Sequence, residues 1–459
     1  MAKQNKKQDM GTGSIPKLML SLAVPAVVAQ LINMLYNIVD RIYIGHIKEA
    51  GASALTGVGL FLPILMMINA FAMMAGSGGA PMAAIAMGKN DKEKAEKILA
   101  NCFTVLMIFS VALTVLFYIF APQLLRLIGA SDVTLPYALS YARIYILGIV
   151  FVMIVMGMNP FITTQGFAKF SMITTIVGAV LNIILDPILI FVFQLGVRGA
   201  AIATVASQAV SAVWVLLFLR GRKTILQLKP SYMKLEAGII LPCLGLGIST
   251  FVMLSTESIL NISFNSSLSR FGGDIAVGAM TIISSCSQLI LLPIQGICQG
   301  GQPIMSYNFG AGKKKRVKQA FYCQFGACTI FCTVMWLLMM TVPQVFAGIF
   351  NNDAALIDYT VWAMRIYMAG IFSTGIQIAC QQTFMALGQA KISLLMACLR
   401  KLVLLIPLIF ILPNFFADKV FGVFLAEPVS DIIAASVTAS MLFMRLNGIL
   451  DKGREQNAG

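Results

Sequence analysis

Gly78-Gly79-Ala80-Pro81 returns as Gly300-Gly301-Gln302-Pro303, 222 residues further along the chain, and this interval decides the fold. Outward from it at the same offset, Gly88 falls on Gly310, Tyr137 on Tyr359, Arg143-Ile144-Tyr145 on Arg365-Ile366-Tyr367, and Gly148 on Gly370. Gly166-x-Ala168-Lys169-x-Ser171 falls on Gly388-x-Ala390-Lys391-x-Ser393. The chain therefore holds two copies of one unit.

The 459 residues are 59% hydrophobic and 11% charged, far more apolar than the roughly 45–50% of a soluble domain. Apolar runs such as Leu18 to Ile44, Leu99 to Phe120, Ile239 to Ile262 and Phe321 to Val342 suit helices crossing about 30 Å of hydrocarbon. About twelve such spans fit the chain, so the expected fold is an all-α polytopic membrane protein with twelve transmembrane helices in two pseudo-symmetric six-helix bundles. Six crossings return the second copy with the orientation of the first, and parallel repeats of this kind are related by an axis along the membrane normal, with the site between them. The expected organisation is a cytoplasmic tail at 1–16, an N-lobe at 17–222, a basic cytoplasmic linker at 223–236, a C-lobe at 237–446 and a cytoplasmic tail at 447–459.

The formal charge of +15 does not mark a nucleic-acid protein, because Lys and Arg sit in short loops at alternate span ends. They collect near the N-terminus (Lys3, Lys6, Lys7, Lys17), at Lys89 to Lys97, Arg220 to Lys234 and Lys313 to Lys318, while the opposite side has scattered ones such as Lys48, Arg126, Arg198 and Arg270. The positive-inside rule then places both termini in the cytoplasm, in a multi-pass inner or plasma membrane protein. The first apolar stretch is too long for a signal-peptide core and reads as span 1. Nine cysteines lie almost entirely inside apolar spans without metal-ligand spacing, so they read as small buried hydrophobes, with no disulfide and no metal cluster expected. His46, the single histidine, supports no triad or zinc motif and reads as an interfacial residue. The glycine pairs at Gly78 and Gly300 lack a following Gly-Lys-Ser/Thr and read as close helix packing. Without a nucleotide motif no cofactor is expected, and transport must draw on an ion gradient.

Ionisable groups in hydrocarbon cost about 2.5–3.5 kcal/mol on insertion scales, so each one inside a span is a candidate site. At 1.5 Å per helical residue, Asp40, Asp186 and Thr204 lie within roughly 9–18 Å of the outer loops. Asn182 and Asp186 stand four apart and share a helix face, as do Tyr36 and Asp40. Two carboxylates facing one pocket repel unless a proton or cation neutralises the pair. The alternative is that Asp186 only locks helix packing through Asn182. Pro187 frees a carbonyl and permits a bend. In the second copy Glu257 stands alone near mid-depth and reads as functional, whereas Glu427 and Asp431 read as structural partners of Arg400 and Lys401 in buried ion pairs.

Tyr36-Asn37-Ile38-Val39-Asp40 in span 1, Asn182-Ile183-Ile184-Leu185-Asp186-Pro187 in span 5 and Gln299-Gly300-Gly301-Gln302-Pro303 in span 8 resemble the multidrug and toxic compound extrusion (MATE) family, closest to its DinF-type bacterial branch. The resemblance implies a cation or proton site, Na⁺ included, built by Asp40, Asn182, Asp186 and Thr204, beside a substrate cavity containing Tyr36, Tyr141, Asn159 and Gln299. Glu257 sits where NorM-type and plant branches keep an acidic residue, which implies a second coupling group. Gln299 replaces an acid that some relatives hold in span 8. The function expected from the resemblance is a secondary antiporter exporting small, often cationic and amphipathic drug-like compounds in exchange for Na⁺ or H⁺. The alternatives are a lipid-linked precursor flippase, which would favour a basic cavity, and an intramembrane enzyme, for which no nucleophile–base pair is spaced. The expected partners are drug-like molecules and membrane lipids, not nucleic acid, and the expected state is a monomer.

Overall fold

In lipid every backbone N–H and C=O must be paired within its own segment, so apolar runs become helices. The computed structural model describes residues 10–47, 51–350 and 353–455; Lys3, Lys6, Lys7 and Lys48 lie outside the described residues. The first half contains α1 Ile15–Gly45, α2 Gly51–Gly88, α3 Lys92–Ile128, α4 Leu135–Leu147, α5 Ile149–Thr164, α6 Ala168–Pro187 and α7 Val197–Arg220. The second contains α8 Ala237–Gly310, α9 Lys314–Thr341, the short α10 Pro343–Phe350, α11 Ala354–Tyr367, α12 Ile371–Ala386, α13 Ala390–Cys398, α14 Ile406–Ile411 and α15 Lys419–Glu455. Side chains such as Leu20, Val111, Ile119 and Ile262 stand exposed along these helices, as a lipid-facing surface requires.

Twelve crossings result among the described residues. α4 and α5 form one span bent by 58° at Gly148. Its counterpart, α11 and α12, is joined by the 3₁₀ turn Met368–Gly370, so the repeat offset recurs in the backbone. It recurs again in the left-handed residues Asn90 and Gly312, and Gly166 and Gly388. α8 is two arms folded back at Gly273, whose φ of 65° and ψ of −160° glycine alone adopts without steric cost. α13 passes through the π turn Leu399–Leu405 into α14, and α6 through the π turn Ile188–Val192 just after Pro187, where a bend was expected.

One apolar core fills the first half and reaches Ile240 and Cys243 of α8, a second runs from Leu260 to Ala426 within the second half, and a third packs Leu18 and Leu22 of α1 against Ile304, Phe321 and Phe384. The halves meet along a seam of glycines. A Cβ on Gly78 would lie 2.6 Å from the Gly247 nitrogen and closer still to the Cys243 carbonyl, while one on Gly300 would lie 2.5 Å from the Ala23 nitrogen. Gly78 and Gly300 are repeat mates, so each lobe offers the same bare backbone to the other, as the close-packing reading required.

The seam closes toward the face that carries the basic loops. There Asn308 Nδ2 donates to the Met10 carbonyl at 2.9 Å, and Arg316 Nη2 donates to the carbonyls of Met10 at 3.0 Å and Gly13 at 2.7 Å. The described part of the N-terminal segment is thus held against the second half rather than trailing free. The basic connection between the halves is stapled to the first half: Gln165 Oε1 accepts from Thr224 Oγ1 at 2.7 Å and from the Ile225 and Leu226 nitrogens at 2.8 Å. Buried Glu96 takes Lys229 at 2.6 Å, and that carboxylate bond raises the Lys229 pKa.

Candidate substrate and cation site

A cavity of about 370 Å³ lies between the lobes and reaches into the first, where α1, α2, α5, α6 and α7 wall it. Tyr36, Asn159 and Gln299 line it as expected, and so do Asn182 and Thr204. Tyr141 does not; its buried ring packs against Phe61 and Tyr145, at 5.6 and 5.8 Å between centroids. Its hydroxyl faces the Thr204 side chain, so it backs the wall that it was expected to form. The lining also holds Gln30, Asn69, Gln208, Gln295, Gln302 and Gln382. Sequence reasoning passed over these because a search for ionisable residues does not register neutral amides. Their signal was there: uncharged amides inside apolar spans need a polar neighbour.

At one end of the cavity, Asp40 from α1 meets Asn182 and Asp186 from α6 and Thr204 from α7. Asn182 Nδ2 donates to Asp186 Oδ1 at 3.3 Å and to Thr204 Oγ1 at 3.4 Å, and Thr204 Oγ1 donates to the Ala200 carbonyl at 3.0 Å. The spacing of four along α6 is what puts Asn182 and Asp186 on one face. The carboxyl groups of Asp40 and Asp186 face each other. Asp40 Oδ1, Asp186 Oδ2 and Asn182 Oδ1 are all buried with no hydrogen-bond donor among the described residues. Buried oxygens of this kind are costly unless something donates to them, and a proton or a hard monovalent cation supplies what they lack.

The second half is arranged differently. The π turn at 399–405 adds a residue to the helical turn, and the adjacent Arg400 and Lys401 are both buried. Arg400 Nε donates to Asp431 Oδ1 at 2.8 Å and its Nη2 pairs with Glu427 Oε1 at 3.3 Å. Asp431 Oδ2 also accepts from Thr374 Oγ1 at 2.7 Å. Lys401 Nζ donates to the Met253 carbonyl at 2.9 Å and pairs with Glu257. Glu257 is therefore not solitary, a correction to the sequence reading. Lys401, expected beside Glu427 and Asp431, turns instead to the first arm of α8, because neighbouring residues on a helix point in different directions and Arg400 takes the side facing α15. The expected ion pairing of Glu427 and Asp431 is present, carried by Arg400 alone.

The MatE family model matches residues 25–188 and again 249–411, one match in each half. The chain belongs to the MatE family. MATE proteins are membrane transporters, and this multi-pass membrane protein is a transporter rather than an enzyme. The chain is similar to multidrug export protein MepA of Staphylococcus saprophyticus, 27% identical over 424 residues that cover 92% of this chain and 93% of that one. MepA of Staphylococcus aureus strain N315 is 25% identical over 404 residues, 87% and 88% of the two chains. Among solved structures, MATE in the bent conformation superposes with a TM-score of 0.91 at 23% identity, covering 100% of both chains. A MOP superfamily transporter from Pyrococcus furiosus superposes at 0.90, again 23% identical, over 98% of this chain and 99% of that one. These likenesses show that the all-α twelve-span architecture is the MATE fold.

Proposed function

We propose that the chain is a multidrug exporter of the DinF-type branch, moving small amphipathic, often cationic compounds out of the cell in exchange for Na⁺ or H⁺. The names of its MepA relatives support the substrate class. The coupling rests on one observation, the facing pair Asp40 and Asp186 with an orphaned oxygen on each and a third on Asn182. The termini and basic loops lie on the cytoplasmic side of the cell membrane in this reading, the protein works as a monomer, and the site consists of Asp40, Asn182, Asp186 and Thr204.

Two facing carboxylates cannot both stay charged and unpaired in a low-dielectric pocket. An incoming ion relieves the repulsion and draws α1, α6 and α7 together around it, which alters the cavity wall that Tyr36, Asn182 and Thr204 share. Drug and ion then prefer different arrangements, and by linkage each weakens the other's binding by the same factor, about 1–3 kcal/mol. Drug loaded from the cytoplasm is released when the ion arrives from outside. The test is ethidium affinity of the purified protein with and without Na⁺ at two pH values, for wild type, Asp40→Asn and Asp186→Asn. The wild type should lose about 5- to 150-fold in affinity with the coupling ion bound, and the variants should ignore it. An ion-independent wild type, or variants that still export along an ion gradient, would move the coupling site elsewhere.

A further inference from the structure

The basic face carries a second cavity, distinct from the substrate site. It is a groove of about 770 Å³ between the lobes, walled by the end of α2 and the start of α3 on one side and by the turn at 387–389 and α15 on the other. Three cations line it, Lys89, Lys94 and Arg445. All three are exposed, and none forms an ion pair among the described residues. The carboxylate in the lining, Asp91, is engaged at the start of α3, where it accepts from the Lys94 nitrogen at 2.9 Å. Between the charges the wall is apolar, with Met82, Ile85, Phe309 and the highly exposed Met444. The groove therefore offers positive charge beside greasy surface, at the depth where basic loops meet lipid headgroups.

We propose that this groove binds the acidic headgroup of a membrane phospholipid, with part of an acyl chain along Met444 and Met82, and that the bound lipid holds the lobes together at the basic face. Basic pockets between transmembrane helices on the cytoplasmic side favour such headgroups. The chain's own segment 1–9 is a poor occupant, because it carries Lys3, Lys6 and Lys7 against the single acid Asp9. The clamp follows from where the walls come from. At the groove Gly388 of the second half comes against Ile85 and Met82 of α2, where a Cβ would make ordinary contacts at 3.6 and 3.7 Å. A ligand that touches Lys89 and Lys94 on one lobe and Arg445 on the other fits only while the lobes are close there, so it binds that state better and shifts the population toward it.

The test uses the full chain in phosphatidylcholine nanodiscs, with spin labels at the exposed positions Lys92 and Gln319, one in each lobe, titrated with phosphatidylglycerol. Phosphatidylglycerol should narrow the label distances to the short population, and Lys89→Gln, Lys94→Gln and Arg445→Gln should each weaken the effect about fivefold, the triple variant by on the order of a hundredfold. A control triple variant, Arg222→Gln, Lys223→Gln and Lys315→Gln, removes the same charge from the same face outside the groove and should leave the midpoint unchanged. Equal losses in both triples would reduce the effect to diffuse surface potential and overturn the site. Inorganic phosphate reproducing the closure would make it a phosphate site, and an unshifted triple variant that still elutes and melts as wild type would refute the groove altogether. Neither drug nor coupling ion enters this measurement, so it stands or falls independently of the export reading.

Discussion

Gly300→Ala tests the seam through which the lobes touch. The added methyl would sit 2.5 Å from the Ala23 nitrogen, 2.6 Å from its Cα and 2.8 Å from its Cβ. Ordinary van der Waals contact begins at 3.4 Å, so α1 and the second arm of α8 must separate by about 0.9 Å, and a backbone nitrogen in mid-helix cannot rotate away as a side chain can. Overpacking of this kind costs about 1–3 kcal/mol. The strain exists only while the lobes are closed on the basic face, so it acts on the conformational equilibrium rather than on folding of either lobe. At about 2 kcal/mol the closed population falls roughly thirtyfold relative to the open one. Distance distributions between labels at Lys92 and Gln319 should gain a long component, and Gly78→Ala, its repeat mate, should do the same through Cys243 and Gly247. Wild-type distances in both variants, with intact helicity and melting temperature, would show that the seam yields locally and does not govern the state.

Three further outcomes are expected. Arg400→Met strips Asp431 and Glu427 of their shared guanidinium and should destabilise the protein by about 3–5 kcal/mol, read as a lower midpoint of thermal unfolding; an unchanged midpoint would mean that the network is not structural. Glu257→Gln should lower stability by leaving the buried Lys401 ammonium without its carboxylate while ion-dependent drug binding persists, and loss of that ion dependence at wild-type stability would return Glu257 to the coupling site. Gln165→Leu removes one acceptor from Thr224, Ile225 and Leu226 and should cost about 2 kcal/mol locally, seen as faster tryptic cleavage at Arg222 or Lys223; equal cleavage would mean that Glu96, Asn101 and Thr104 hold the connection without it.

The architecture was legible because its two signals, apolar length and the 222-residue offset, are one-dimensional. The grouping of Asp40, Asn182, Asp186 and Thr204 was legible for a related reason: helical spacing fixes faces, and loop distance fixes depth. What stayed hidden depends on rotation about a helix axis. Tyr141 has the depth of the cavity but faces Phe61, and Lys401 reaches Glu257 while its neighbour Arg400 reaches Asp431, a division that the sequence Leu399-Arg400-Lys401 does not mark. The basic connection 223–236 read as a linker by composition, and its fastening by Gln165, Glu96 and Asn101 of the first half could not be foreseen from its own charge.

The buried cations also say something about descent. Carried back by the repeat offset, Arg400 and Lys401 fall on Gly178 and Ala179 of α6, where Gly178 lies so near Ser211 that a Cβ would stand 2.7 Å from its hydroxyl. After duplication the two copies kept their glycine seams and bent spans but filled the same interior slot in opposite ways, one with two cations and the other with almost no side chain at all. The copies have therefore become heritable specialists: a chain built from two first halves would carry unneutralised acids in both lobes, and one built from two second halves would have every interior acid already matched to a cation.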